Sequence, residues 1–387
     1  MSIIETYKIT ARTLSPVHIG SGEKIGKKEY WYNKKKGQVG ILDMQAFYKG
    51  LTEKKLLNEF MNYMLFEKKQ LLYQWMNTQN ITQEELREWT KYVLSTKDAE
   101  IESNKNRDIL LFCKNAYGMP YIPGSSIKGA LRTCLLTAQI LEKLKKNPEE
   151  YREEKNKIIE ICEKKANMTN DKKKKELQKI EELLEQKEFY TLIRKNEKEE
   201  LENREKATMD CMAGIRVSDS NPLDIKKLTL CKKLDIPRRG KEQELPIYRE
   251  CIKPNTVFTF EISIDTSVWT QNGNAIPYTI EDIKKSIDIM FSYYQSVFLD
   301  KFQEKNRYQA GTFCLGGGVG YPSKTVTYPI LGEENWKIVS EILSEVTNED
   351  RKADWESRIA PRVKKCTNYA GRTYDMGICR WDKTEKI

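Results

Sequence analysis

Three stretches of the chain set glycines, hydroxyls and cations close enough together to hold a phosphate. The first is L-S-P-V-H-I-G-S-G, residues 14–22, followed at once by Lys24, Lys27 and Lys28. Gly20 lets a ligand approach the backbone, Ser21 adds a hydroxyl, and His18 is placed to stack on a base or touch a phosphate. A histidine that only satisfies a strand end fits the same spacing. The second is Y-I-P-G-S-S-I-K-G-A-L-R, residues 121–132. Pro120 and Pro123 stiffen the entry, Gly124 permits an unusual backbone angle, and Ser125 or Ser126 can cap the helix that follows. Ile127, Leu131 and Leu135 repeat at helical spacing, while Lys128 and Arg132, also four apart, share a neighbouring face. Free amides at a helix start beside two cations suit a phosphate. An ordinary capped helix with a solvated basic face fits equally well. The third is G-T-F-C-L-G-G-G-V-G-Y-P-S-K-T, residues 311–325.

That third stretch fails the nucleotide-binding patterns. The frame from Gly311 reaches Gly316, but the lysine a P-loop needs next is Gly317. The G-x-G-x-x-G frame from Gly316 meets Tyr321 in the last position. What remains is Gly316, Gly317 and Gly318, with Ser323 and Lys324 behind them. This is either a cradle for a sugar-phosphate backbone or a tight turn. Arg216–Ser220, 236–241 and 368–374 are weaker stretches of the same basic or aromatic kind.

The elements that must position these stretches alternate in type. Residues 5–14 alternate as a half-buried strand, and 29–42 read as a hairpin around Lys35, Lys36 and Gly37. Asp43 caps a helix from Met44. The spacing predicts helix over 51–105, with one stripe through Leu56, Leu57, Phe60, Met64 and Leu65 and another through Leu86, Trp89 and Val93. It predicts a second helical block over 142–206, as two helices around a polar link at 167–175. Residues 212–264 carry β alternation, 279–302 an amphipathic helix, and 333–346 a short helix. The fold class is α+β, with the chain dividing at 210/211 and the glycine-rich stretch in the second part.

Composition narrows the chemistry. The single histidine, His18, leaves no room for a two-histidine ribonuclease or a His-rich metal site. Nine scattered cysteines without a Cys-x-x-Cys pair predict neither a disulfide framework nor a zinc knuckle. No catalytic group, metal or cofactor is expected. With no apolar run of membrane length and no secretion signal, the expected setting is the cytoplasm. The net charge is +10, and residues 142–206, with 19 Lys/Arg against 18 Asp/Glu, contribute one of those charges. The excess therefore lies on the remaining parts, where it favours a polyanion such as nucleic acid.

Taken together, Leu14–Gly22, Tyr121–Arg132 and Gly316–Gly320 resemble the RAMP superfamily of CRISPR-associated RNA-binding proteins. Arg216–Ser220 and Leu234–Gly240 look most like the type III-A (Csm) effector subunit that caps the backbone filament at the crRNA 3′ end. The resemblance implies two ferredoxin-like (RRM-like) units, over 1–210 with helical insertions near 51–105 and 142–206, and over 211–387. It implies a non-catalytic subunit that binds crRNA near its 3′ end, docks on the last backbone RAMP subunit and supports crRNA maturation. Host nucleases are the candidate trimming partners. Carried over to this sequence, the RNA-binding set is His18, Gly20, Ser21, Lys24, Lys27, Lys28, Ser125, Ser126, Lys128, Arg132, Gly316, Gly317, Gly318 and Lys324. The related backbone subunit cuts target RNA with an aspartate after its first glycine motif. Residues 21–30 offer only Glu23 and Glu29, so no slicing is expected. A crRNA-processing endoribonuclease acting through His18 and a purely structural scaffold are the alternatives.

Overall fold

The computed structural model describes residues 4–67, 70–99, 101, 107–163, 170–192, 207–238, 241–270, 278–302, 308–332, 335–347 and 358–387. In chain order it begins with strands β1 (Ile4–Thr13), β2 (Gly20–Ile25), β3 (Tyr30–Asn33) and β4 (Gln38–Leu42). Four short helices follow, α1 (Met44–Glu53), α2 (Leu57–Phe66), α3 (Leu72–Thr78) and α4 (Gln83–Glu88). Next come β5 (Thr90–Ser95), β6 (Asp108–Phe112), α5 (Gly124–Lys146), α6 (Arg152–Glu163) and α7 (Asn170–Phe189). The later part holds β7 (Ile215–Val217), β8 (Leu228–Pro237), β9 (Gln243–Ile252), β10 (Val257–Asp265), α8 (Ser267–Thr270) and α9 (Ile280–Val297). It closes with β11 (Thr312–Cys314), α10 (Thr327–Leu331), α11 (Asn335–Thr347), β12 (Val363–Tyr369), β13 (Arg372–Asp375) and β14 (Ile378–Lys386). No helix among the described residues is long and apolar enough to cross a membrane.

The fold is α+β. The first sheet runs β11-β14-β1-β10-β7, antiparallel throughout. Its order β14-β1-β10-β7, with α5 between β1 and β7 and α9 between β10 and β14, is that of a ferredoxin-like unit assembled from across the chain. Alternation explains β1: Ile9, Ala11 and Thr13 are buried and the residues between them are less so. On α9 a capping box joins Thr279 to Asp282, and Ile283, Ile287, Met290 and Tyr294 are buried. α9 packs against α5. The second sheet is mixed, in the order β13-β12-β8-β9-β6-β2, with β6 and β9 parallel.

The β3–β4 hairpin forms around its expected turn, with Tyr30 opposite Ile41, and Asp43 accepts from the amides of Gln45 and Ala46. The helical block beyond it differs from expectation at two points. Val93 does not continue a helical face with Leu86 and Trp89; it lies in β5, which pairs with β4. An available edge on the hairpin outweighs the local 3.6-residue spacing. On α2 the buried side chains are Phe60 and Tyr63, while Leu57, Met64 and Leu65 are exposed. Phe60 and Tyr63 face a separate core with Phe47, Trp75 and Trp89. In the second block Ile158, Ile180 and Leu184 are buried and Leu183 is exposed. Helix α7 starts at Asn170, inside the expected polar link, and 193–206 lie outside the described residues.

Candidate nucleic-acid interface

Beyond β1 the chain threads between the end of β9 and the glycine loop. The Leu14 amide donates to Ile378 O at 2.8 Å, Val17 and Ile252 exchange backbone hydrogen bonds, and the Gly317 amide donates to His18 O at 2.6 Å. His18 Nδ1–H donates to Glu250 O at 2.7 Å. The residue is 5% exposed. Burial, with Arg249 nearby, holds its pKa down to about 4. His18 is therefore a neutral strut with no free face for a base. Gly316 takes φ +83°, and a Cβ there would overlap His18 O. Part of the glycine requirement thus comes from the chain's own close packing rather than from a ligand.

The start of α5 is built differently from the expectation. Neither serine caps it. The Gly124 amide donates to Asp219 Oδ1 at 2.7 Å, and the Ile122 amide to Ser220 Oγ at 2.9 Å. Gly124 has no left-handed φ; a side chain there would strike the carbonyls of Val217 and Ser218. The segment Arg216–Ser220 is thus the clasp that fixes the stiff turn. The hydroxyls of Ser125 and Ser126, relieved of capping, make no hydrogen bond among the described residues and line a cavity of about 420 Å³. Gly20, Gly316, Gly317 and Lys324 line the same cavity, above Met290, Phe291 and Tyr294 of α9. The three stretches do meet. Lys324 is exposed at this cavity and makes no ion pair among the described residues.

The other predicted cations go elsewhere. Lys128 Nζ donates to Met212 O at 2.9 Å and Ile215 O at 2.7 Å. Arg132 bonds Glu185 Oε2 at 2.8 Å and Asp210 Oδ2 at 2.6 Å and lies 4.4 Å over the Phe189 ring. The two share a face, as their spacing requires, but that face braces α5 against α7 and the 210–215 segment. The β2–β6 ladder breaks between Gly20 and Lys24. Ser21 and Lys24 open instead on a second groove of about 1260 Å³, shared with Lys91, Lys114 and Tyr117. Lys24 pairs with Asp108 at 2.9 Å on the surface. Lys28 donates to Tyr63 O and Met64 O in the last turn of α2, where a cation satisfies orphan carbonyls. Lys27 is exposed in the turn after β2. Gly318, at φ +88°, sits against Arg249.

Two groups around the site escape a reading of spacing. Glu250, fully buried, accepts from Lys114 Nζ at 2.5 Å, Tyr92 OH at 2.6 Å and the Phe112 amide at 2.8 Å. It ties β9 to β6 directly below His18. Arg249 is its neighbour in sequence. The signal was a charged pair, Arg249-Glu250, inside the otherwise apolar run Ile247–Ile252.

The RAMP superfamily family model matches residues 10–319. The chain belongs to the RAMP superfamily. A Streptococcus thermophilus protein described as CRISPR system Cms protein Csm5 is 30% identical over 334 residues, covering 83% of this RAMP chain and 80% of that protein. A protein of the same description from Mycobacterium tuberculosis is 25% identical over 396 residues, 97% of each chain. Among solved structures, a chain of a Csm–crRNA–target RNA ternary complex of a type III-A CRISPR–Cas system aligns with TM-score 0.67 over 97% of this chain and all of that one, at 19% identity. The crystal structure of T. onnurineus Csm5 aligns with TM-score 0.61 at 18% identity, over 96% of this chain and all of that one. These two likenesses establish the shared RAMP fold.

Proposed function

We propose that this chain is a non-catalytic subunit of a type III-A Csm effector complex that works in the cytoplasm. It binds the crRNA near its 3′ end, caps the backbone filament by docking on the last backbone RAMP subunit, and supports crRNA maturation by trimming nucleases of the host. The observation that carries this reading is the meeting of Gly20, Ser125, Ser126, Gly316, Gly317 and Lys324 around one cavity. It occurs in a chain of net charge +10 whose relatives are described as Csm5. Unbonded hydroxyls and an unpaired lysine beside a glycine loop offer donors to a phosphodiester without committing any to catalysis. The endoribonuclease alternative needs His18 as general acid or base, and a buried neutral imidazole with one nitrogen already bonded is poorly suited to that task.

The test is to reconstitute the effector complex with and without this subunit and size the bound crRNA. Capping predicts a changed 3′ length distribution when the subunit is left out; identical distributions would refute it. A His18→Ala variant separates the alternative: unchanged trimming with retained RNA removes the enzyme reading, and lost trimming with retained RNA restores it.

A further inference from the structure

Under the glycine loop lie three cations, one of them held by an internal ion pair. Arg249 on β9, Lys233 on β8 and Lys365 on β12 come from three neighbouring strands of the second sheet. Arg249 stands opposite Cys231, and Lys365 opposite Asp235. The β8–β9 register shifts between Lys232 and Lys233, but β8 itself alternates, and Arg249, Lys365 and Asp235 all act electrostatically on Lys233, so the three cations share a face. The glycine loop runs over this face. Arg249 Nη1 occupies the space a Gly318 Cβ would need, and Lys365 Cγ lies 3.8 Å from where a Gly320 Cβ would stand.

The partners differ sharply. Lys365 is held by Asp235 at 2.6 Å. Arg249 and Lys233 make no side-chain hydrogen bond or ion pair among the described residues, and Arg249 Nε is buried with no acceptor. A guanidinium donor removed from water without an acceptor is costly, and such groups in folded proteins call for an explanation. The planar fork of an arginine matches the oxygens of a phosphate. Burial and the neighbouring Arg249 also lower the pKa of Lys233, as expected of a cation group awaiting a counter-charge.

We propose that Arg249 and Lys233, roofed by Gly318 and Gly320, form a binding site for a phosphate group, filled by one phosphodiester of the bound strand. This deepens the RNA-binding reading and rests on it for the source of the phosphate.

The test uses the full chain, Arg249→Gln and Lys233→Gln, with two probes: a single-stranded RNA titrated over a range of salt, and inorganic pyrophosphate followed by the NMR signal of Arg249 Nε–H. Each variant should bind RNA roughly tenfold more weakly at fixed salt. The slope of log affinity against log salt should fall by about 0.7 for one lost phosphate contact. Pyrophosphate should move the Arg249 signal in the wild type and less in Lys233→Gln. RNA binding with unchanged affinity and slope in both variants, and an Arg249 signal indifferent to pyrophosphate, would overturn the site while leaving the RNA-binding reading intact. A wild type that binds no RNA but whose Arg249 responds to pyrophosphate would do the reverse.

Discussion

The first turns of α5 and the glycine loop border the same cavity and both carry cations, yet they use them in opposite ways. On α5, Lys128 is bonded to two backbone carbonyls and Arg132 to two carboxylates. On the loop, Lys324 has no ion pair, and Arg249 against Gly318 has no acceptor for its buried Nε–H, among the described residues. Spacing reports which residues share a face. Whether a cation on that face is available depends on carboxylates and carbonyls that arrive from distant parts of the chain. Glu185 and Asp210 reach Arg132 from 53 and 78 residues away. Among the described residues no carboxylate pairs with Lys324.

The interior side of this division should give the largest stability effects. Glu250→Ala leaves Lys114 charged and unpaired in a buried place, together with an orphaned Tyr92 hydroxyl and Phe112 amide. A loss of about 3–5 kcal/mol in chemical denaturation is expected. A loss under about 1 kcal/mol would mean that β9 and β6 are held by something else. Next is the pH dependence set by His18. Its folded pKa of about 4 lies below the ordinary value of 6.5. Between those values the unfolded chain binds the extra proton. Stability from this group is therefore complete above about pH 6.5 and lost as pH falls toward 4, up to about 3 kcal/mol. The His18→Asn variant should show a shallower fall over that window; an unchanged slope would place the acid sensitivity elsewhere.

Arg132→Ala should cost roughly 2–3 kcal/mol, less than a fully buried pair because the side chain is partly exposed. RNA affinity measured well below its melting temperature should hardly change. The opposite pattern, full stability with lost RNA binding, would erase the distinction between the two regions. Lys324→Ala is the mildest: stability within about 0.5 kcal/mol of the wild type, with the salt slope of RNA binding lowered by about 0.7.

Where a local rule had no competitor, the sequence was a good guide. Asp43 caps α1, and the β3–β4 hairpin turns where its lysines and glycine lie. Where a distant partner decides, it was not. Ser125 looks like a cap, but Asp219 takes the role from 95 residues away. Val93 continues a helical stripe on paper, and β4 draws it into a sheet. β9 lies inside the stretch 212–264 that reads as β, but spacing gives no role to its charges Glu244, Arg249 and Glu250, which connect it to Arg107, the glycine loop and β6. At the site, residue types alone left a bland reading open for each stretch, and their meeting was expected only from the family resemblance they carry together. The division of their cations into braces and available groups was not.

Cross-linking a photoreactive crRNA to the reconstituted complex and mapping the attached peptides tests the central claim most directly. The account predicts attachment within 14–24, 120–133 and 311–324 of the same chain. Attachment confined to the exposed faces of α1–α4, with those three segments untouched, would contradict it.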